Sequence, residues 1–273
     1  MQLGVIFLEK TNISLEFPEP NCEVIPGVKW GTIETFLSPA YWAFQVYSQR
    51  LTGSKINYKL GTTLKEEVAA CLLGGHGIPA QVGIAAYNHL KNQGVFSEIK
   101  SSEQEIYNLL SELIDLDGKR IKYRFAKQKA KYLANAMDKL SQDTPSFKSG
   151  QDLRNWLLNV SGIGFKTASW VARNWLDADD VAILDIHILR AGILGGFLSK
   201  NLSVERNYLE LEEEFLSFSR GLGIKASELD AVIWLEMMSS SSIVHELMNS
   251  SSIDTDLKFK KRKEPITQLE MRI

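Results

Sequence analysis

An all-α body of helices, preceded by a small extended arm, is the fold class this sequence predicts, and three observations predict it. From residue 38 onward, apolar residues recur at helical spacing, in segments punctuated by Ser, Thr, Gly and Pro at positions suited to helix ends. No strand pattern of sheet-forming length occurs after residue 30. Finally, Gly162-Ile163-Gly164 joins two apolar, helix-forming stretches. Glycine reaches positive φ and lets another backbone come close, so this triplet reads as a very tight helix-to-helix connection. At 273 residues, one domain or two tightly packed helical subdomains are expected.

Residues 1–30 are short apolar or alternating pieces broken by Pro18, Pro20 and Pro26, which read as an arm with two strands. Ser38-Pro39 starts a helix whose aromatic face (Tyr41, Trp42, Phe44, Tyr47) reads as core. Thr62-Thr63 cap a helix from Leu64 to Leu73, and another runs from Pro79 to Asn92. Ser102 and Glu105 form a capping box for a short helix ending near Leu113. Arg120 to Leu140 reads as one long basic helix. Gln151 to Asn159 then feeds the glycine triplet. Ile186 to Ile193 is helical, Ser203 caps Val204 to Arg220, and Ser227 with Asp230 has the spacing of a capping box on a last helix through Met238. Beyond it, two serine-rich stretches bracket a weak helical fragment. The basic run Lys258 to Lys263 lacks apolar periodicity and is expected to be mobile.

Composition narrows the function classes. Cys22 and Cys71 are isolated, which excludes a disulfide framework and any Cys-based zinc or iron–sulfur site. The apolar start Leu3 to Leu8 is too short for a membrane span and lacks a basic flank, so no membrane partner and a cytoplasmic, reducing location are expected. A net charge of −2 does not look like a DNA binder, but the total hides its distribution. Lys119, Arg120, Lys122, Arg124, Lys127, Lys129 and Lys131 crowd one helix, while Glu205, Glu210, Glu212, Glu213 and Glu214 crowd another. Such polarity suits a duplex, although either cluster can equally be a solvated face.

The helix after the glycine triplet opens at Gly164-Phe165 with Lys166 in its first turn, and a helix N-terminus is a ready-made phosphate site. Nineteen residues on, Asp185 follows the apolar run Val181 to Leu184 just before the next helix. Gly-Ile-Gly-Phe-Lys followed by Ile-Leu-Asp-Ile-His resembles the helix-hairpin-helix DNA glycosylases, specifically the 8-oxoguanine DNA glycosylase/AP lyases. Tyr123-Arg124-Phe125 with Lys129-Ala130, and Ser227 to Glu236, resemble stretches of the archaeal-type subgroup. Unlike many relatives of endonuclease III, this chain has no four-cysteine cluster. The resemblance divides the chain into an arm (1–35), a glycosylase domain (36–238, hairpin 151–174) and a flexible basic tail (239–273).

What the resemblance implies is a bifunctional enzyme. Lys166 becomes the nucleophile at C1′ of the damaged nucleotide; a lysine amine attacks only when neutral, which calls for surroundings that favour the uncharged form. Asp185 stabilises the developing positive charge and takes part in proton transfer. Gly162, Gly164 and His187 contact the DNA backbone. The loop Gly74 to Gln81 offers His76, Ile78 and Gln81 as a wedge that fills the gap left by the extruded base, although a glycine C-cap followed by Pro79 explains the same loop. Trp234 is a stacking candidate for the base, or core, and a capping role is preferred for Asp230 over base recognition. No cofactor and no metal are expected, apart from a monovalent cation that the hairpin could hold. The implied partner is double-stranded DNA with a modified purine, bound by a monomer. Three readings of function stay open: excision of 8-oxoguanine, handling of a deazaguanine-type base in defence against phage, and a DNA-binding module that has lost turnover.

Overall fold

The computed structural model describes residues 1–52, 58–75, 77–97, 101–142 and 146–250. In chain order the strands are β1 Gln2–Leu8, β2 Thr11–Phe17, β3 Glu23–Ile25, β4 Val28–Lys29, β5 Leu113–Leu116 and β6 Lys119–Lys122. The helices are α1 Pro39–Thr52, α2 Leu64–Leu73, α3 Ala80–Asn92, α4 Glu103–Ser111, α5 Ala126–Gln142, α6 Gly150–Leu157, α7 Phe165–Leu176, α8 Ile186–Gly195, α9 Tyr208–Leu222, α10 Ala226–Ser239 and α11 Ser241–Ser250. The protein is therefore mainly helical, in two units. One is built from Met1–Ile56 with Leu184–Ile273, the other from Asn57–Ile183.

In the unit formed by the chain's two ends, the arm is a pair of antiparallel hairpins, β1–β2 and β3–β4. Phe17, 3% exposed, anchors the first hairpin to α1, with ring centroids 6.3 Å from Phe44 and 6.1 Å from Tyr47. Trp42 on α1 is fully buried. Tyr41 donates to Glu236 at 2.9 Å and Arg50 pairs with Glu228 at 2.6 Å, which ties α1 to α10. Phe197 stacks on Phe218 of α9 at 3.9 Å, filling the middle of this core. Three expectations are corrected here. Helix α9 begins at Tyr208 behind Asn207, because Ser203 instead closes a turn with its carbonyl, accepting from Asn207 N–H at 2.8 Å. Helix α10 begins at Ala226 behind Lys225, two residues too early for Ser227 to cap it, and both Ser227 and Asp230 are buried. The tail expected to be flexible from residue 239 is helical as α11, where Val244 and Met248 are buried; the basic run from Lys258 lies outside the described residues.

The second unit is organised around α2, whose Val68, Ala69, Leu72 and Leu73 have essentially no exposure. Thr63 caps it, accepting from Glu66 N–H, and Ser102 with Glu105 forms the reciprocal capping box on α4. The long helix expected from Arg120 is a strand followed by a shorter helix. Asp117 and Gly118, at φ 52° and 78°, form a tight two-residue turn that pairs Leu113–Leu116 with Lys119–Lys122, and α5 starts only at Ala126.

Two neighbouring glutamates on α2 hold the segment that leads into it. Glu66 accepts from Thr62 N–H at 2.7 Å and from Lys91 at 3.0 Å. Burial pushes its carboxyl up, but these hydrogen bonds win and bring it down to about 2 from 4.5. A depressed carboxylate stabilises the folded state fully above the unfolded value of 4.5, and that contribution fades as pH falls toward 2. Glu67 is fully buried: it accepts from Leu60 N–H at 2.7 Å, Gly61 N–H at 2.8 Å and Asn174 Nδ2 at 2.7 Å. Glu67→Ala strands three donors, each costing about 1–3 kcal/mol when left unmet. We expect urea unfolding to show a loss of roughly 3–5 kcal/mol; a loss under about 1 kcal/mol would mean that water replaces the carboxylate without penalty.

Candidate functional site

The connection between α6 and α7 is built as its glycines require. After α6, Val160 N–H donates to Leu157 O at 2.9 Å and Ile163 N–H to Val160 O at 3.1 Å, coiling the chain tightly. Ile163 plugs the turn into the core at 6% exposure. Gly162 has φ +84°, and a Cβ there would lie 2.3 Å from the Tyr132 ring, so backbone conformation and close approach both demand glycine. Gly164 differs: at φ −102° any residue fits, and a Cβ would meet nothing within 4 Å. It occupies the N-cap position of α7, where no side chain caps the helix. Ser, Thr, Asn or Asp would cap this end better. The bare glycine leaves the space before the positive end of α7 open to an external anion.

Lys166 is the second residue of α7 and is half-buried. At the far end of α7, Asn174 binds Glu67 and Arg173 lies over the Tyr58 ring at 4.1 Å, so the helix is fixed to its unit. One turn beyond Lys166, Trp170 packs on Gly74 at the end of α2; a Cβ on Gly74 would sit 3.2 Å from its ring. The last carbonyls of α2 are caught by side chains: Tyr123 Oη donates to Leu73 O at 2.7 Å, and Lys129 Nζ donates to Leu72 O at 2.5 Å and Gly74 O at 3.2 Å. Burial pulls the Lys129 ammonium below the usual lysine range. In the loop and helix that follow, Ile78 packs half-buried against the core and Gln81 is exposed in the first turn of α3. His76 lies outside the described residues.

Asp185, His187 and Trp234 stand in the other unit. Asp185 is the N-cap of α8, its Oδ1 accepting from His187 N–H at 2.8 Å and Ile188 N–H at 3.2 Å. The His187 ring meets Trp234 of α10 edge-on, centroids 6.4 Å apart. Burial lowers the Arg190 guanidinium, and the Asp185 charge opposes that shift. Asp230, one helical turn before Trp234 on the same face of α10, is only 3% exposed. Its spacing from Ser227 favours a cap role in the sequence; the signal for another role is its four-residue spacing from Trp234. The sequence marks Lys129 and Tyr123 only through a basic stretch and a family resemblance, and not through these bonds, since their partners lie 57 and 50 residues away. Among the described residues no three His, Cys, Asp or Glu side chains cluster as a metal site, and no helix is long and apolar enough to cross a membrane.

The model of the 8-oxoguanine DNA glycosylase family with the helix-hairpin-helix matches residues 52–224. An 8-oxoguanine DNA glycosylase/AP lyase of Saccharolobus islandicus is 39% identical over 140 residues, covering 48% of this chain and 67% of that protein. The Methanocaldococcus jannaschii enzyme of the same name is 37% identical over 122 residues, 42% of this chain and 58% of that one. The crystal structure of the M. jannaschii 8-oxoguanine DNA glycosylase superposes with a TM-score of 0.51 at 26% identity, covering 74% of this chain and 88% of the other. The family match takes in the hairpin glycines, Lys166 and Asp185 together, and the chain belongs to the helix-hairpin-helix family of 8-oxoguanine DNA glycosylases.

Proposed function

We propose that this protein is a DNA glycosylase/AP lyase that removes an oxidised purine, 8-oxoguanine, from duplex DNA. The observation that carries the proposal is Lys166 on the first turn of a helix whose N-cap is a bare glycine facing open space. Phosphate binds at that helix start, and the lysine is held on the same turn by a helix locked at its other end.

In the reaction, the Lys166 amine attacks C1′ of the extruded nucleotide and the bond from C1′ to the base breaks, the base leaving with a proton. The resulting aminal opens to a Schiff base between Lys166 and C1′. Loss of a C2′ proton then expels the 3′ phosphate, giving strand cleavage. The Asp185 carboxylate steadies positive charge on the sugar as the base departs. Trp234 supplies a flat apolar surface for the base, and the Asp230 carboxylate an acceptor for the N–H groups of a guanine edge. Gln81 and Ile78 are candidates to occupy the gap in the duplex.

Incubation with matched duplexes carrying 8-oxoguanine, a 7-deazaguanine or plain guanine, quenched with sodium borohydride, tests this. The expected result is a trapped covalent adduct and strand cleavage with 8-oxoguanine far above the other two. Preference for the deazaguanine duplex would reassign the substrate, and binding without any adduct would make the chain a DNA-binding module.

The open helix start makes a separate prediction. Gly164→Asp places a good N-cap on α7, so melting temperature should hold or rise. The added carboxylate meets phosphate at close range, so affinity for every duplex should fall by roughly tenfold or more, and Gly164→Ala should bind like the parent. Equal binding by the Asp variant would place the DNA elsewhere.

A further inference from the structure

The β5–β6 hairpin takes no part in the chemistry above. Its two central turn residues both have positive φ, the geometry that closes a two-residue loop without splaying the strands. Gly118 N–H donates to Asp115 Oδ1 at 3.3 Å, which holds the turn. The register pairs Ile114 with Ile121, Asp115 with Arg120 and Leu113 with Lys122. Side chains alternate along a strand, so Ile114, 2% exposed, and half-buried Ile121 form an inner face. Leu113, Arg120 and Lys122 then share the outer face, and all three are exposed.

Strand β6 leads directly into Tyr123, which is 2% exposed and bonded to Leu73 O. The end of the strand is thus pinned to the end of α2, beside the glycine on which Trp170 sits, one turn from Lys166. Many cations of this protein have work to do inside the fold: Lys91 on Glu66, Lys129 on carbonyls, Arg50 on Glu228. Arg120 and Lys122, by contrast, make no ion pair and no side-chain hydrogen bond among the described residues. Asp115 stands across from Arg120 but already accepts from Gly118. Two unengaged cations on alternate residues of one strand, their backbone positions about 6.8 Å apart, fit a partner with regularly repeated negative charge.

We propose that the outer face of the β5–β6 hairpin is a second phosphate-binding surface, which holds the backbone of one DNA strand through Arg120 and Lys122 with Leu113 against the sugars. It rests on the reading that this chain acts on duplex DNA, and it is separate from the phosphate site at the start of α7. Because it touches backbone only, it contributes affinity for any sequence and no choice of base.

The test uses the full chain and the double variant R120Q/K122Q, titrated against an undamaged duplex and the same duplex with one 8-oxoguanine, between about 50 and 200 mM salt. Affinity should fall on the order of tenfold on both duplexes, and the salt slope should shrink by about 1.8, or about 0.9 for each lost contact. The charge-preserving R120K/K122R should keep the parent's affinity and slope. A second double variant, K10Q/K29Q, changes net charge equally on the arm of the other unit and should bind like the parent. The proposal is overturned if R120Q/K122Q binds like the parent, if K10Q/K29Q weakens binding as much, or if the loss is confined to the damaged duplex. A parent chain that binds neither duplex would defeat this proposal and the proposed function together; the other outcomes leave that function standing.

Discussion

Lys166→Gln should yield a folded protein that still binds DNA but releases no base and forms no adduct. Position 166 is the second residue of α7, half-buried, and glutamine is nearly as good a helix former as lysine. The helix should therefore form as in the parent, and the variant should remain folded. The chemistry cannot survive the change, because an amide nitrogen does not attack C1′ and forms no Schiff base. Loss of the nucleophile should slow base release by about 10⁴-fold or more, equivalent to about 5.4 kcal/mol of barrier. The defect should extend to a duplex that already contains an abasic site, since strand cleavage there depends on the same amine. Single-turnover cleavage and borohydride trapping on both duplexes measure it. A glutamine variant that traps as well as the parent would show that another amine is the nucleophile.

How much of this was readable in the sequence depends on how local each cause is. Thr63 and the Ser102–Glu105 pair act within four residues, so their spacing alone announces the helix starts they make. Gly162 was readable for a similar reason, since positive φ in a tight connection leaves little choice of residue. Its contact with the Tyr132 ring, thirty residues upstream, was not. The β5–β6 hairpin was hidden because each strand has only four residues and three of the four in β6 are charged, which blurs a period of two. Its turn carried the clear signal, Asp-Gly, and that signal outweighed the apparent helical run that followed.

Ser227 and Asp230 show the opposite failure. Their spacing matches a cap, but packing in the core sets the start of α10 two residues earlier and buries both. Glu67 sits in a Lys-Glu-Glu run that reads as solvated surface, and only Asn174, 107 residues away, and the Leu60 and Gly61 backbone make it a buried anchor. The pairing of the chain's two ends into one unit is non-local in the same way. Lys166 and Asp185 stand out in the sequence through residue type and spacing together. Where their side chains are held depends on helix starts, one left bare by glycine and one capped by the acid itself.

That second helix start separates two roles of Asp185 that any truncation would confuse. Its Oδ1 accepts from His187 and Ile188 N–H at the start of α8, and asparagine can do the same with its own carbonyl oxygen. Asp185→Asn should therefore keep the cap, whereas Asp185→Ala loses it, which should leave the Ala variant about 1 kcal/mol less stable than the Asn variant. Both variants remove the negative charge near buried Arg190, so that contribution cancels when they are compared. The Asn variant keeps the shape of the side chain and loses only the charge that would meet the sugar as it becomes positive. Stabilisation of developing charge by one well-placed group is typically worth about 10²–10³ in rate, or about 2.7–4 kcal/mol. Single-turnover release of 8-oxoguanine by Asp185→Asn should slow by that factor, while DNA affinity holds or rises because a negative charge has gone. On a duplex that already contains an abasic site, where no base has to leave, Lys166 should still form a trappable Schiff base. If Asp185→Asn instead releases 8-oxoguanine at the parent rate, the carboxylate is a helix cap only, and the charge that steadies the sugar must come from another residue.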